Sequence, residues 1–141
     1  MCGRVRVTIT QAPLLAMACH CIGCQKLTSA PFSISLAIPT GGYEITGELE
    51  RGGLHGDHEQ LYCGHCKNWI ITKPAGLDWF ANIRATVLDD HAWFVPYLET
   101  MTSEKLPWAT TAAKHSFEGF PGLEEYAPLV ESFASEGARP G

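Results

Sequence analysis

Residues 17–26 read MACHCIGCQK and carry three of the six cysteines of the chain. Cys19, Cys21 and Cys24 form two overlapping motifs, C-x-C and C-x-x-C, which share Cys21. Side chains two apart on an extended segment share a face, and C-x-x-C closes through a tight turn whose amides can donate to sulfur. Both spacings suit a tetrahedral zinc site, in which sulfurs lie roughly 3.8 Å apart. The stretch therefore predicts a metal centre with three thiolate ligands.

The remaining three cysteines form a second group. Cys63 and Cys66 belong to a CGHC motif between two predicted strands, and Cys2 lies in the first predicted strand region. Six cysteines cannot complete two four-thiolate sites, so at least one metal must take a different ligand. Structural zinc sites are closed, whereas catalytic ones keep a position for water or substrate. The first group is thus either open or completed by a distant His or Asp, while a redox dithiol would need a βαβ context that is missing.

Length and composition indicate one globular domain. The 141 residues are 45% hydrophobic and 18% charged, which is ordinary for a folded protein. A net charge of −5 argues against nucleic acid as a partner, because phosphate binding needs a basic face. No apolar run has the length of a membrane span, and the start, MCGRVRVTIT, lacks the apolar region of a signal peptide. We therefore expect a cytoplasmic protein whose cysteines are ligands or catalytic thiols rather than disulfides.

Short alternating segments separated by glycine and proline predict a mainly β class. The candidate strands are RVRVTIT (4–10), FSISLAI (32–38), YEITGELE (43–50), QLYC (60–63), NWIITK (68–73), WFANI (79–83) and YLETMT (97–102). Helical spacing is limited to residues 123–134, where Pro128 predicts an interruption. We expect a zinc domain at 1–121 and a C-terminal extension at 122–141 with a short helix and a frayed tail.

Five pieces of the chain, in order, resemble the glutathione-dependent formaldehyde-activating enzyme family, to which centromere protein V-like proteins are related. They are MCGRVRV (1–7), CHCIGCQK (19–26), YCGHCKN (62–68), TVLDD (86–90) and LPWAT (106–110). The resemblance covers roughly residues 1–121. It implies an Mss4-like fold of twisted antiparallel sheets with short helical segments and two zinc sites.

The same resemblance implies what each cysteine group does. Cys2, Cys63 and Cys66 would hold a structural zinc, and Cys19, Cys21 and Cys24 would hold a second zinc at a catalytic site. The activity implied is the condensation of formaldehyde with glutathione to S-hydroxymethylglutathione, formally a carbon–sulfur lyase reaction, or a reaction of a related thiol adduct.

Two departures from the family pattern concern the structural site. The family's first cysteine has no counterpart, because Met1 fills the middle position of its C-x-C motif. Either the true start lies upstream, or this zinc has only three cysteines. In the second case the fourth ligand would be water, the Met1 amine or a histidine, with His55 and His58 the freer candidates, or the site would be empty. Lys67 replaces the glycine that follows the second motif, so Lys67 or Asn68 is expected to adopt a positive φ.

The expected substrate, glutathione, carries two carboxylates and one ammonium group, so its pocket should contain cations. Lys26 and Arg84 are candidates, although each also fits a solvated surface charge. Trp108 could wall the pocket or belong to the core. His20 could orient a cysteine, transfer a proton or simply pack.

A non-enzymatic zinc module that binds a protein partner is the alternative hypothesis, because fold alone does not decide function. A fourth protein ligand at the Cys19, Cys21 and Cys24 metal would favour the module, and an open position beside a pocket would favour the enzyme. A homodimer is left open, and neither nucleic acid nor membrane is expected as a partner.

Overall fold

Ten short strands and two α-helices build the fold in the computed structural model, which describes residues 1–141. The strands are β1 (Arg6–Ile9), β2 (Leu15–Cys19), β3 (Ser33–Pro39), β4 (Tyr43–Thr46), β5 (Leu49–Gly52), β6 (Glu59–Cys63), β7 (Trp69–Lys73), β8 (Phe80–Arg84), β9 (Leu98–Thr100) and β10 (His115–Ser116). The helices are α1 (Ile22–Thr28) and α2 (Leu123–Glu136), and short 3-10 turns span Ala85–Val87 and Thr102–Glu104.

Eight strands form one sheet in the order β10-β9-β2-β3-β8-β7-β6-β5, and β1 pairs with β4 in a second, two-stranded sheet. The predicted mainly β class is confirmed. Most pairs are antiparallel, as expected, but β9 runs parallel to both β2 and β10. These parallel pairs matter for function because they bring residues near position 100 alongside Cys19.

The centre of the large sheet is buried on both faces. Leu15, Ala16 and Ala18 of β2 are at most 1% exposed, and Leu36 and Ile38 of β3 are equally buried. β3 still alternates large and small side chains, whereas β2 reads LAMAC and has neither that alternation nor a β-branched residue. This explains why β2, unlike its neighbour β3, is absent from the strands predicted above.

Helix α1 follows β2 after only two residues. Cys21 is its N-cap, and the helix ends at Ser29, whose φ of 50° is left-handed and whose amide donates to the Gln25 carbonyl. The helix is seven residues long and buries no residue fully. It therefore gives no hydrophobic periodicity, and the sequence did not predict it.

Helix α2 is longer than predicted, because it continues through Pro128 to Glu136. The Glu125 carboxylate accepts a hydrogen bond from the Gly122 amide at 2.7 Å, which fixes the first turn. Phe133 is fully buried and packs on Tyr97 with ring centroids 5.3 Å apart. The assignment of 122–141 as an extension stays a prediction. Neither helix has the length and apolarity needed to cross a membrane.

Candidate metal centres and adjoining groove

Two groups of three thiols are the candidate metal centres. One comprises Cys19, Cys21 and Cys24, and the other comprises Cys2, Cys63 and Cys66. Within each group the sulfur atoms lie within 4.8 Å of one another, and all six cysteines are free. No histidine, carboxylate or further cysteine joins either group. Three thiols at this spacing are a donor set that suits zinc and leaves one tetrahedral position without a cysteine, histidine or carboxylate ligand.

The junction of β2 and α1 assembles the first group, called here the β2–α1 thiol group. Cys19 ends the strand, Cys21 caps the helix and Cys24 lies in its first turn. The Cys24 amide donates to the Cys21 sulfur at 3.2 Å, as expected of a C-x-x-C turn. The Ser33 hydroxyl donates to the Cys24 sulfur at 3.0 Å. Hydrogen bonds thus already orient two of the three sulfurs.

The thiols of this group differ in pKa. Hydrogen bonds from the side chains of Cys19 and Cys24, and from the amides of Cys24 and Gly23, hold the pKa of Cys21 far below its ordinary value. The same contacts with Cys19 and Cys21 raise the pKa of Cys24. The group therefore favours a thiolate at Cys21, the form that ligates metals.

A groove of about 420 Å³ runs along α1, beside this group. Lys26 and Trp108, the two predicted pocket residues, both line it. The other lining residues are Ile22, Gln25, Ser29, Ala30, Pro31 and Leu106. Trp108 is 70% exposed and so does not belong to the core. The cysteines lie outside the lining set, but Ile22 and Gln25 directly follow Cys21 and Cys24 in the helix.

Arg84 lies neither in the groove nor on the surface, the two positions that the sequence suggested. It is only 8% exposed, so it is not a surface charge, and it is not among the groove residues. One guanidinium nitrogen, Nη1, donates to the Ser33 hydroxyl at 3.2 Å. Its position at the end of β8, next to β3 in the sheet, explains this burial. Arg84 thus approaches the β2–α1 thiol group from the interior.

His20, which lies between Cys19 and Cys21 in the sequence, is fully buried. Its Nε2 lies 2.8 Å from an oxygen of Glu99. Because a carboxylate only accepts, the imidazole donates through Nε2. Glu99 also accepts from Lys105 at 3.1 Å and from the hydroxyls of Thr111 and Ser116 at 2.8 Å. Burial raises the pKa of Glu99, but these hydrogen bonds outweigh it and bring the pKa to about 2.

Glu99 is a site residue that the sequence did not reveal. It lies opposite Ala18 in the parallel β2–β9 pair, 79 positions from His20. The sequence indicates Glu99 only as a carboxylate in the middle of a predicted strand, YLETMT. Only the strand pairing could connect that carboxylate with His20.

The second thiol group lies between the start of the chain and the β6–β7 turn. The sulfurs of Cys2 and Cys63 are 3.7 Å apart, and Cys2 is exposed. A hydrogen bond from the Asn68 amide is the main reason that the pKa of Cys66 falls to about 7. Lys67 has a φ of 58°, which confirms the predicted positive-φ turn.

The histidines proposed as fourth ligands of this group are not there. Neither His55 nor His58 joins the three sulfurs, and the His58 Nδ1 instead accepts from the Ala75 amide at 2.9 Å. A small cavity of about 130 Å³ adjoins Cys63 and is lined also by Arg4, Glu48, Gly64 and His65.

The model of the glutathione-dependent formaldehyde-activating enzyme family matches residues 1–104. No curated protein is significantly similar to the chain. Among solved structures, the crystal structure of a Rhodobacter sphaeroides protein is similar with 14% sequence identity and a TM-score of 0.47. This likeness covers 62% of the present chain and 83% of that one.

Proposed function

The chain belongs to the glutathione-dependent formaldehyde-activating enzyme family, and we propose that it joins formaldehyde to glutathione, or acts on a related thiol adduct, at the β2–α1 thiol group. In the forward direction the thiol sulfur bonds to the carbonyl carbon while the carbonyl π bond breaks. The thiol proton ends on the former carbonyl oxygen, which gives S-hydroxymethylglutathione. The reverse reaction is the carbon–sulfur lyase step.

One observation carries this proposal: three thiols that no further cysteine, histidine or carboxylate joins lie on the helix whose Ile22 and Gln25 line a groove of substrate size. Zinc held by Cys19, Cys21 and Cys24 would supply a Lewis acid with a position open to a substrate atom. The protein's own contribution is positional, because a site that holds two small reactants together replaces a bimolecular encounter. Zinc at Cys2, Cys63 and Cys66 would be structural.

The size of the two cavities supports this division of roles. Ligand pockets usually measure about 300–1,000 Å³, a range that includes the groove of about 420 Å³ beside α1. The cavity of about 130 Å³ at Cys63 is too small for a tripeptide. In the groove, the Lys26 ammonium would attract a glutathione carboxylate, and the exposed Trp108 ring would cover the apolar part of the ligand.

Polar contacts between α1 and the chain around Glu104 keep the β2–α1 junction in place. The Gln25 side chain donates to the carbonyls of His20 and Glu104 at 2.7 and 3.0 Å. The Ile22 amide donates to the Glu104 carboxylate at 2.5 Å. We assign His20 and Glu99 the same role of orienting the junction. The free thiols suit a reducing compartment, and we therefore propose a cytoplasmic location.

The proposed function can be tested by NMR exchange spectroscopy of glutathione and formaldehyde, with and without the zinc-loaded protein. The protein should speed the exchange well beyond the uncatalysed rate. An unchanged rate would remove the named activity and favour the alternative of a zinc module that binds a protein partner.

Lys26→Gln should raise the glutathione concentration needed for half-maximal exchange by about three- to tenfold, because a partly exposed ion pair contributes about 1 kcal/mol. The maximal rate and the zinc content should change little. Lys73→Gln is the matched control, because Lys73 is an exposed lysine that pairs with Glu59 away from the groove. Equal effects of the two substitutions would argue against a groove role for Lys26.

A further inference from the structure

Arg84 is a buried cation without a carboxylate partner. It is 8% exposed, and it takes part in none of the six ion pairs of the protein. Its Nη1 has a single acceptor, the Ser33 hydroxyl, and its buried Nε has none. Buried charges are otherwise paired or neutralised in proteins, because removing a charge from water is costly. Something near Arg84 must therefore offset its charge.

Two neighbours contact the guanidinium group directly. The Trp69 ring lies on one side, with its centroid 4.1 Å from the Arg84 Cζ, and this cation–π contact offsets only part of the charge. Ser33 lies on another side and links Arg84 to Cys24 through bonds of 3.2 and 3.0 Å. The β2–α1 thiol group is thus the anionic centre within reach of Arg84.

The direction of the hydrogen bonds supports this pairing. A guanidinium group only donates, so the Ser33 oxygen must accept from Arg84. The single hydroxyl hydrogen of Ser33 then points away and donates to the Cys24 sulfur. The Cys24 sulfur thus accepts a hydrogen bond from a hydroxyl group that Arg84 itself polarises. Arg84 stays charged at neutral pH, because burial lowers its pKa only to about 10.

We propose that Arg84 is the buried counter-ion of the β2–α1 thiol group and acts through Ser33 as a positioning residue. A doubly charged zinc with three thiolates carries one net negative charge, which Arg84 would balance in the interior. The balance lets the centre accept an anionic sulfur in its open position without accumulating two uncompensated charges. This inference rests on the proposed metal site, but it does not depend on which reaction takes place there.

The second thiol group offers an internal control. Cys2 is exposed, so water can screen the charge of that group. Arg84 makes no hydrogen bond with that group, because its polar partner is Ser33 and its ring partner is Trp69. Loss of Arg84 should therefore weaken metal binding at one group and leave the other unchanged.

The experiment is chelator competition on the full-length, zinc-loaded protein, with alkylation of released thiols read by mass spectrometry. Peptides that contain Cys24 and Cys63 report the two groups separately. In Arg84→Met, Cys24 should become reactive at about tenfold lower chelator concentration, the effect expected for losing a charge-assisted contact. The Cys63 midpoint should not move. Arg84→Lys should shift the Cys24 midpoint less than Arg84→Met does, because it keeps a cation although it loses the planar group that stacks on Trp69.

Three results would overturn the proposal. They are a wild-type Cys24 midpoint in Arg84→Met, equal falls of that midpoint in Arg84→Met and Arg84→Lys, or a parallel fall of the Cys63 midpoint.

If Arg84→Met does not fold, Ser33→Ala tests the proposal instead, because it breaks the link to Cys24 while retaining the cation. Its Cys24 midpoint should fall by about threefold or more, and an unchanged midpoint would contradict the proposal. If the chelator midpoints are as expected but the protein does not speed glutathione–formaldehyde exchange, the proposed function is wrong and the role of Arg84 stands.

Discussion

Glu99 is the residue with the most concentrated set of contacts near the candidate site. Its buried carboxylate accepts hydrogen bonds from four side chains, His20, Lys105, Thr111 and Ser116. Its folded-state pKa of about 2 lies below the ordinary value of 4.5. A lowered carboxyl pKa stabilises the fold fully above the ordinary value, and this stabilisation disappears as pH falls toward the lowered one.

Glu99→Gln should therefore change how the free energy of unfolding depends on pH. At pH 7 we expect a loss of about 3 kcal/mol, since the substitution removes a buried charge with several partners. Between about pH 5 and pH 2 the wild type should lose this advantage, so the two proteins should converge. Urea unfolding of both zinc-loaded proteins at a series of pH values measures the difference.

Glu136→Gln is the matched control. The Glu136 carboxylate also pairs with a lysine, Lys114, but the pair is solvent-exposed and should contribute little. A constant difference between wild type and Glu99→Gln across the acid range would contradict the role assigned to the Glu99 charge.

Helix α1 contacts the turn between β5 and β6 through a glycine. A Cβ added to Gly23 would lie 2.6 Å from the Leu54 Cδ1 and 3.7 Å from the Cys21 sulfur. Leu54 is 54% exposed, so its side chain covers the start of α1 rather than filling the core. The absent side chain at position 23 thus allows this turn to approach the β2–α1 thiol group.

A double-mutant cycle tests that contact. Gly23→Ala alone should lower the free energy of unfolding or leave it unchanged, because the new methyl group displaces the Leu54 side chain. In a Leu54→Ala background the same change should stabilise it by about 0.5–1 kcal/mol, the helix propensity gained on replacing glycine. Thermal unfolding of the four proteins gives the coupling. An identical effect of Gly23→Ala in both backgrounds would exclude the contact.

The sequence predicted strands well where β-branched or alternating large residues occur and turn residues mark the ends. The segments FSISLAI and NWIITK correspond to β3 and β7. It missed β2, whose sequence LAMAC contains no β-branched residue, and α1, which is short and buries nothing fully. It also underestimated α2, because tertiary packing of Leu129 and Phe133 outweighs the proline within the helix.

For the molecule as a whole, the sequence predicted both thiol groups, but not the residues that support them. Spacing alone indicates the group of Cys19, Cys21 and Cys24, which closes within six residues, whereas Cys2 lies 61 positions from Cys63 and was placed with it through the family resemblance. Glu99 and Arg84 reach the β2–α1 thiol group only through strand pairing, from β9 and β8. No local pattern records such pairings, so the buried charges around the site became visible only in the structure.

The two thiol groups should respond differently to loss of one ligand. Cys63→Ser should lower the Tm strongly or prevent folding, because a structural zinc contributes its binding energy to folding. Cys21→Ser should lose about one zinc per chain yet stay folded, since serine is itself a favourable N-cap for α1. Zinc content and circular dichroism of both variants check this. Unfolding of Cys21→Ser with a folded Cys63→Ser would reverse the assignment.

We propose that the β2–α1 thiol group serves as an open metal centre where a thiol and a carbonyl compound react. NMR can measure the rate of glutathione–formaldehyde exchange for wild type and folded Cys21→Ser at equal concentration. This role predicts acceleration by the wild type and a return to the uncatalysed rate in Cys21→Ser. Equal acceleration by both proteins would contradict it, because the reaction would then not depend on this group.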